Sequence, residues 1–368
     1  MAGQLIGARI KALRQERGLS QDGMASLFGF KDRQTVSAIE TGVRRVTAAE
    51  LLLAVERLNV PLDYFTDPFR LDGEGLFSWR QRGVGRSELG EYERVASRWV
   101  GAYRAMSVQV GRQPPLMRRA LGLTRQSRLE EAADAGERFA AEFELGDVPA
   151  HRLAATMEER LGVLVLMVDA YQGISGAACR LPELDAVLIA RNEVAGRRNF
   201  DLAHELFHIL TWEAMPPEHV EDAHDFGGNR VEQLANNFAA AVLMPKAAVN
   251  SFGDWGRLDE EGLVVQLNAA ADDLNVTSSA LRWRLVTLRH LNKARARAIP
   301  EFALRNNGRE KAEEAPPSLF SRPFAEVVAL AIEQGHVSVR RSAELLGVSI
   351  EGLEELFSIH GLDYAIDL

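Results

Sequence analysis

Apolar residues recur at a helical period through the first sixty positions, and the breaks fall at residues that stop and start helices. Leu5, Ile6, Ile10 and Leu13 share one face of a first helix that Gly18 ends, and Ser20 offers an N-cap to the next. "QDGMASLFGF" predicts a short helix with Ala25 inward; "KDRQTVSAIETG" predicts another with Val36 and Ile39 inward and Gly42 as its C-cap. "TAAELLLAVERLNV" starts at Thr47 with Glu50 three residues on, a capping box, and Pro61 follows its end. Residues 67–85 read as a Gly-rich connection with one strand, and 87–145 as helix broken near "GRQPP". "HRLAATMEERLG" is a helix feeding the apolar run "LGVLVLMV" (161–168), and "DAVLIA" (185–190) is a second strand. A helix over "RRNFDLAHELFHILTWE", an acidic loop and the helix "RVEQLANNFAAAVLMP", stopped by Pro245, come next. "AADDLNVTSSALRWRLVTLRHL" reads as two short helices around a turn, and a helical module closes the chain after a charged, Pro-containing linker. The fold class is α+β, mostly α: an all-α N-terminal bundle, a domain with a small sheet, and a small C-terminal helical module.

Composition narrows this without redirecting it. At 368 residues the chain is long enough for two or three domains with real cores, and 46% hydrophobic with 26% charged residues is a soluble globular balance. No apolar stretch is long enough to span a bilayer, and the N-terminus lacks a signal-peptide pattern. With one cysteine, Cys179, an intramolecular disulfide is excluded, which fits a cytoplasmic protein. The net charge of −9 argues against a protein that coats nucleic acid, but the charge is uneven. Residues 2–45 carry eight Lys/Arg against four acids, whereas 324–368 carry two Arg against eight acids. Contact with nucleic acid is therefore expected from the front end.

There, two short helices around a tight turn inside a bundle form a helix-turn-helix. Its second helix, starting near Asp32, would present Arg33, Gln34, Thr35 and Ser37 to base edges in the major groove, with Gln21 and Arg44 placed for phosphates. Residues 5–65, with Arg14, the "GLSQ" turn, Ala25, "SAIETG" and "VPLDYF", resemble the XRE class of phage-repressor-like DNA-binding domains. The resemblance implies double-stranded DNA as a partner, with a homodimer as one arrangement.

The second candidate chemistry is H-E-x-x-H. His204 and His208 are four residues apart, so a helix projects both imidazoles from one face, where two neutral ring nitrogens can bind one Zn²⁺. Glu205 reaches a water beside that metal rather than the metal itself, the place of a general base. A catalytic zinc needs a third protein ligand and one open position. Thr211 and Ala214 stand where a metzincin has Gly and His, which excludes that class. Glu232, twenty-four residues after His208 on a separate helix, is the preferred third ligand, with His219 and His224 of the acidic loop as competitors. Asn236, one turn beyond Glu232, is placed to orient a ligand.

"RRNFDLAHELFHIL" followed by "EQLANNFAAAVLMP" resembles the ImmA/IrrE family of zinc peptidases, over roughly residues 150–290. Carried over, the family pattern makes His204, His208 and Glu232 the zinc ligands and Glu205 the general base. Asn199 departs from the Arg that many members carry there, and Arg198 is its neighbour. The resemblance implies a zincin-like fold and a transcriptional regulator as protein substrate. The domain plan is then 1–66 helix-turn-helix, 67–149 helical connection, 150–305 peptidase domain, 306–318 linker and 319–368 C-terminal module. That last module again resembles a helix-turn-helix, but its charge favours an interaction, sensing or packing role.

The preferred expectation is a cytoplasmic regulatory zinc metalloprotease that cleaves a repressor or antitoxin-like regulator in a stress or mobile-element response. The alternatives are a transcription factor whose peptidase-like domain senses a ligand or partner without catalysis, and an antitoxin-like member of a two-gene module. Cys179, between the two predicted strands, reads as a small buried hydrophobe; the sharper expectation is a thiolate that silences the zinc.

Overall fold

A computed structural model of the chain describes residues 2–71, 74–222, 229–305 and 315–362. Contacts divide it into two compact units. One comprises Met1–Leu76, Ser87–Gln113 and Glu326–Leu368; the other comprises Phe77–Arg86 and Pro114–Ala325.

The first unit opens with α1 (Ala2–Glu16), α2 (Gln21–Phe28), α3 (Arg33–Glu40), α4 (Ala48–Leu58) and α5 (Leu62–Thr66). Local chemistry sets these bounds. Ser20 accepts from Gly23 N–H at the start of α2, Asp32 accepts from Thr35 N–H at the start of α3, and Thr47 with Glu50 closes the capping box of α4. The C-cap of α3 is Thr41, one residue before the expected Gly42, which follows in the left-handed region at φ 74°. Ile10, Leu13, Ala25, Val36 and Ile39 meet in one core, as their spacing predicts, and Met24 and Phe28 join them.

Buried arginines complete this unit. Arg9 donates to Glu74 Oε1 at 2.9 Å and to the carbonyls of Tyr64, Asp67 and Arg70 at 2.8 Å, and Arg104 also pairs with Glu74. Arg14 forks onto both oxygens of Glu40 at 2.6 and 3.0 Å. Three of the eight front-end cations, Arg9, Arg14 and Arg44, are thus spent on internal ion pairs, so the surface facing solvent is less basic than the sequence count suggests. Arg104 lies on α6 (Arg86–Gln109), whose Trp99 donates from Nε1 to Leu346 O at 3.0 Å. Leu346 ends α16 (Val339–Leu346), which follows α15 (Arg322–Glu333) and turns through Gly347 into α17 (Ile350–Ile359), capped by Ser349.

The second unit holds the sheet. Its strands are β1 (Leu76–Gln81), β2 (Val163–Val168), β3 (Ile174–Arg180), β4 (Asp185–Ala190) and β5 (Val220–Asp222), in the spatial order β2-β4-β3-β1-β5. β2 runs parallel to β4, β3 antiparallel to β4, and β1 parallel to β5 with Arg80 opposite Glu221. The two apolar runs are strands as expected, and the strand anticipated within 67–85 is β1. β3 and β5 go beyond the sequence reading: β3, "ISGAACR", contains Gly and two Ala and has little strand propensity, and β5 has three residues.

Around the sheet lie α7 (Leu129–Glu142), α8 (Leu153–Leu161), α9 (Ala195–Thr211), α10 (Arg230–Leu243), α11 (Lys246–Ser251), α12 (Glu260–Asp273), α13 (Ser278–Thr287) and α14 (Lys293–Ala298). α9 packs on β3 and β4 on one side and on α10 on the other, so its whole stretch from Phe200 to Thr211 is buried. α10 is seated in turn against α7. A Cβ on Gly136 of α7 would lie 2.5 Å from Phe238 O and 2.9 Å from Ala241 Cβ, so the close approach of these helices requires glycine there. Most of the linker expected at 306–318 lies outside the described residues.

Candidate metal centre

Strand alternation and helix pitch bring the site together. On α9, His204, Glu205 and His208 are all fully buried, and α10 delivers Glu232 across from them. The Nε2 atoms of His204 and His208 stand 3.1 Å apart. Glu232 Oε2 lies 3.3 Å from His204 Nε2, and its Oε1 3.5 Å from His208 Nε2. The three predicted ligands therefore converge. A fourth group joins them: Glu221 on β5 places Oε2 3.1 Å from His208 Nε2. Each of the four residues offers one ligand atom, and these atoms lie within 4.8 Å of one another.

These residues fit a metal ion. Both oxygens of Glu232, Glu221 Oε2 and His208 Nδ1 are buried without a hydrogen bond, although imidazole nitrogens stand close to the carboxylates. Atoms 3.1–3.5 Å apart but not aligned for hydrogen bonding have the spacing of a tetrahedron's edge, about 3.3 Å when each donor is about 2.0–2.1 Å from a central ion. His204 Nδ1 donates to Asn236 Oδ1 at 3.0 Å, which fixes the tautomer and leaves the Nε2 lone pair directed into the cluster. Two imidazoles with two carboxylates form a set that suits a divalent metal ion.

Of the competing ligands, His219 is exposed and is not part of this cluster, and His224 lies outside the described residues. Cys179 is not in the cluster either. Gly176 of β3 faces α9, where an added Cβ would lie 3.6 Å from Glu205 Cγ. Three positions on, Cys179 points to the opposite face, in register with Ala186 of β4. The thiolate idea fails on that parity. Asn199 donates to Asn275 O at 2.9 Å, and Arg198 donates to the carbonyls of Arg191 and Glu193, so both anchor the N-terminal part of α9.

Sequence reading missed two members. Glu221 sits in the acidic loop among several equivalent acids, and only its pairing opposite Arg80 singles it out. Arg80 is 3% exposed and carries no motif signal. β1 turns it toward α9, where Nε donates to Asp201 Oδ1 at 3.0 Å and Nη1 to His204 Nε2 at 3.1 Å, with Glu232 Oε2 3.6 Å away. The cation and the acids shape one another. Burial and the neighbouring Arg80 press His204 down to about 4, so its imidazole is neutral. Burial would lower His208 as well, but Glu221, Glu205 and Glu232 outweigh it and lift the imidazole to about 9. Burial lifts the Glu205 carboxyl to about 8, and neither of its oxygens has a hydrogen bond. Glu232 is held below the usual carboxylate range: burial opposes this, but His204, His208 and Arg80 prevail.

The candidate DNA-reading residues fall in two groups. Arg33 and Gln34 are exposed on the first turn of α3, with Thr35 and Ser37 half-buried behind them. The Thr35 hydroxyl is 3.2 Å from Asp32 Oδ1, within the N-cap. Gln21 donates to the buried Glu40 at 3.0 Å, and Arg44 forks onto Glu50 at 2.6 and 3.1 Å beneath the Phe30 ring. Both are tied inward.

The sheet, the buried H-E-x-x-H helix and the capped front helices define the class: a helix-turn-helix domain joined to a peptidase-like domain. Residues 10–65 match the family model described as helix-turn-helix, and residues 158–285 match that of the IrrE N-terminal-like domain. The chain is thus a fusion of an XRE-type helix-turn-helix with an ImmA/IrrE-like domain. It is similar to the HTH-type transcriptional regulator PrpR of Mycobacterium tuberculosis (strain ATCC 25618 / H37Rv), with 25% identity over 338 residues. That alignment spans 82% of this chain and 66% of the relative, just under two thirds of its length. No solved structure matches. No helix among the described residues is long and apolar enough to cross a membrane.

Proposed function

We propose that this chain is a DNA-binding transcriptional regulator whose ImmA/IrrE-like domain holds a divalent metal ion, zinc by its donor set, for sensing rather than for peptide hydrolysis. One observation carries this reading. Glu221 adds a fourth protein donor to His204, His208 and Glu232, whereas a catalytic zinc keeps one position open for water or substrate. The similarity to a protein named as a transcriptional regulator supports the same direction. DNA recognition is assigned to α3, with Arg33 and Gln34 reading bases, and the metal domain biases that recognition. The test is Glu205→Gln in cells: metal is retained and target genes respond as in wild type.

Glu205 itself favours a second reading, a regulatory peptidase acting on a protein such as a repressor. Its carboxyl group is buried beside the cluster and neither oxygen has a hydrogen bond, which leaves it free to exchange a proton with a water in the site. A bound zinc ion would supply Lewis acidity there. Glu205 would accept the proton of an attacking water and pass it to the leaving amine, and Glu221 would have to leave the cluster. On that reading Glu205→Gln keeps metal but accumulates an uncut regulator and fails to induce its targets.

A further inference from the structure

Arg80 belongs to no motif, yet its guanidinium borders the cluster, with Nη1 3.1 Å from His204 Nε2 and 3.6 Å from Glu232 Oε2. A buried guanidinium is costly unless its donors are satisfied, and here they face Asp201, His204 and Glu232. Asp201 Oδ1 accepts from Nε, and Nη1 is directed at the His204 Nε2 lone pair, which His208 Nε2 also approaches at 3.1 Å. Because Asn236 takes the Nδ1 proton of His204, Nε2 has one lone pair, and it is the lone pair a metal ion requires. Arg80 is also held in place by its backbone. It lies opposite Glu221 in the β1–β5 pair, its carbonyl accepts from Ser175 Oγ at 3.3 Å, and the preceding Ser78 donates from Oγ to Glu218 O at 2.7 Å. The strand that carries the arginine is thus paired with the strand that carries the fourth ligand.

We propose that Arg80 is a resident cation of the metal-free site, and that a divalent ion binds only by taking the His204 Nε2 lone pair that Arg80 and His208 both approach. This inference rests on the metal-holding reading above and deepens it: the sensed ligand is the divalent ion itself, and Arg80 sets the concentration at which it is sensed. In the metal-free site the guanidinium offsets part of the charge of Asp201, Glu221 and Glu232. On metal entry it gives up His204 and keeps Asp201. Affinity is therefore lowered by the hydrogen bond that must be broken and by the like charge left nearby, and the ion remains exchangeable.

The test uses the full chain, stripped with chelator and titrated with Zn²⁺ against a chromophoric competitor. Wild type is compared with Arg80→Met and Arg80→Gln, with circular dichroism as the check on folding. Glutamine retains a donor for Asp201, so it serves if methionine does not fold. The neutral variants should bind zinc about ten- to a hundredfold more tightly, the range expected when a buried charge-assisted hydrogen bond no longer competes. Binding by a variant but not by wild type supports the inference as well. Equal or weaker binding by the folded variants overturns it while leaving the metal-holding reading intact. Absence of zinc binding in all three proteins overturns both.

Discussion

Replacing Asn236 with leucine removes the acceptor that fixes His204 while keeping the side chain's size. Asn236 is 6% exposed, and its Oδ1 is 3.0 Å from His204 Nδ1. Without it the imidazole either carries an unsatisfied buried N–H or moves its proton to Nε2, which the metal needs free. An unmade buried hydrogen bond costs about 1–3 kcal/mol, and at about 1.4 kcal/mol per decade that is roughly ten- to a hundredfold in affinity. Loss of such a supporting group usually falls in the same range. Asn236→Asp keeps an acceptor at the same place and should bind metal at least as well as wild type. Competition titration of both full-length variants decides the point. An Asn236→Leu affinity within about threefold of wild type would refute the claim that Asn236 sets the His204 tautomer.

Gly136→Ala should destabilise the second unit by about 1–3 kcal/mol in urea melts and weaken zinc binding, because the methyl group pushes α10 and Glu232 away from α7; an unchanged midpoint contradicts this. Glu158 is lifted by burial from 4.5 to about 7, so the folded state holds its proton more tightly than the unfolded state does. Its contribution is present at low pH and is lost as pH rises from about 4.5 to 7, amounting to about 3 kcal/mol by pH 8. Glu158→Gln should therefore stabilise at pH 8 and change little at pH 4, and an equal effect at both would show that Glu158 does not titrate as described. In gel-shift assays Arg33→Ala and Gln34→Ala should alter sequence preference. Arg44→Ala should leave the salt slope unchanged because Glu50 already pairs with it; a slope lower by about 0.9 would make Arg44 a phosphate contact.

What was legible in the sequence was whatever depended on short-range rules. The caps Ser20, Asp32 and Thr47, the strands 163–168 and 185–190, and the i, i+4 histidines follow from neighbours along the chain. So did the proximity of Glu232, because one long amphipathic helix offered few acids on its buried face. Glu221 and Arg80 were not legible, since each owes its role to the β1–β5 pairing across 141 positions. A three-residue strand in an acidic loop has no periodicity to read, and an arginine in a Gly-rich stretch resembles a solvated charge. The same limit explains the front-end cations: nothing local shows that Arg9 and Arg14 are paired with Glu74 and Glu40.

On the reading proposed above, the metal site is closed by four protein ligands, with an arginine beside it that contacts His204 when no ion is bound. A crystal structure of the full chain loaded with zinc tests it most directly. The expected result is His204, His208, Glu221 and Glu232 all bound to the ion, no coordinated water, and Arg80 withdrawn from His204 Nε2 but still paired with Asp201. An ion held by His204, His208 and Glu232 alone, with a water at the fourth position beside Glu205 and Glu221 turned away, would contradict it and return the site to peptidase chemistry.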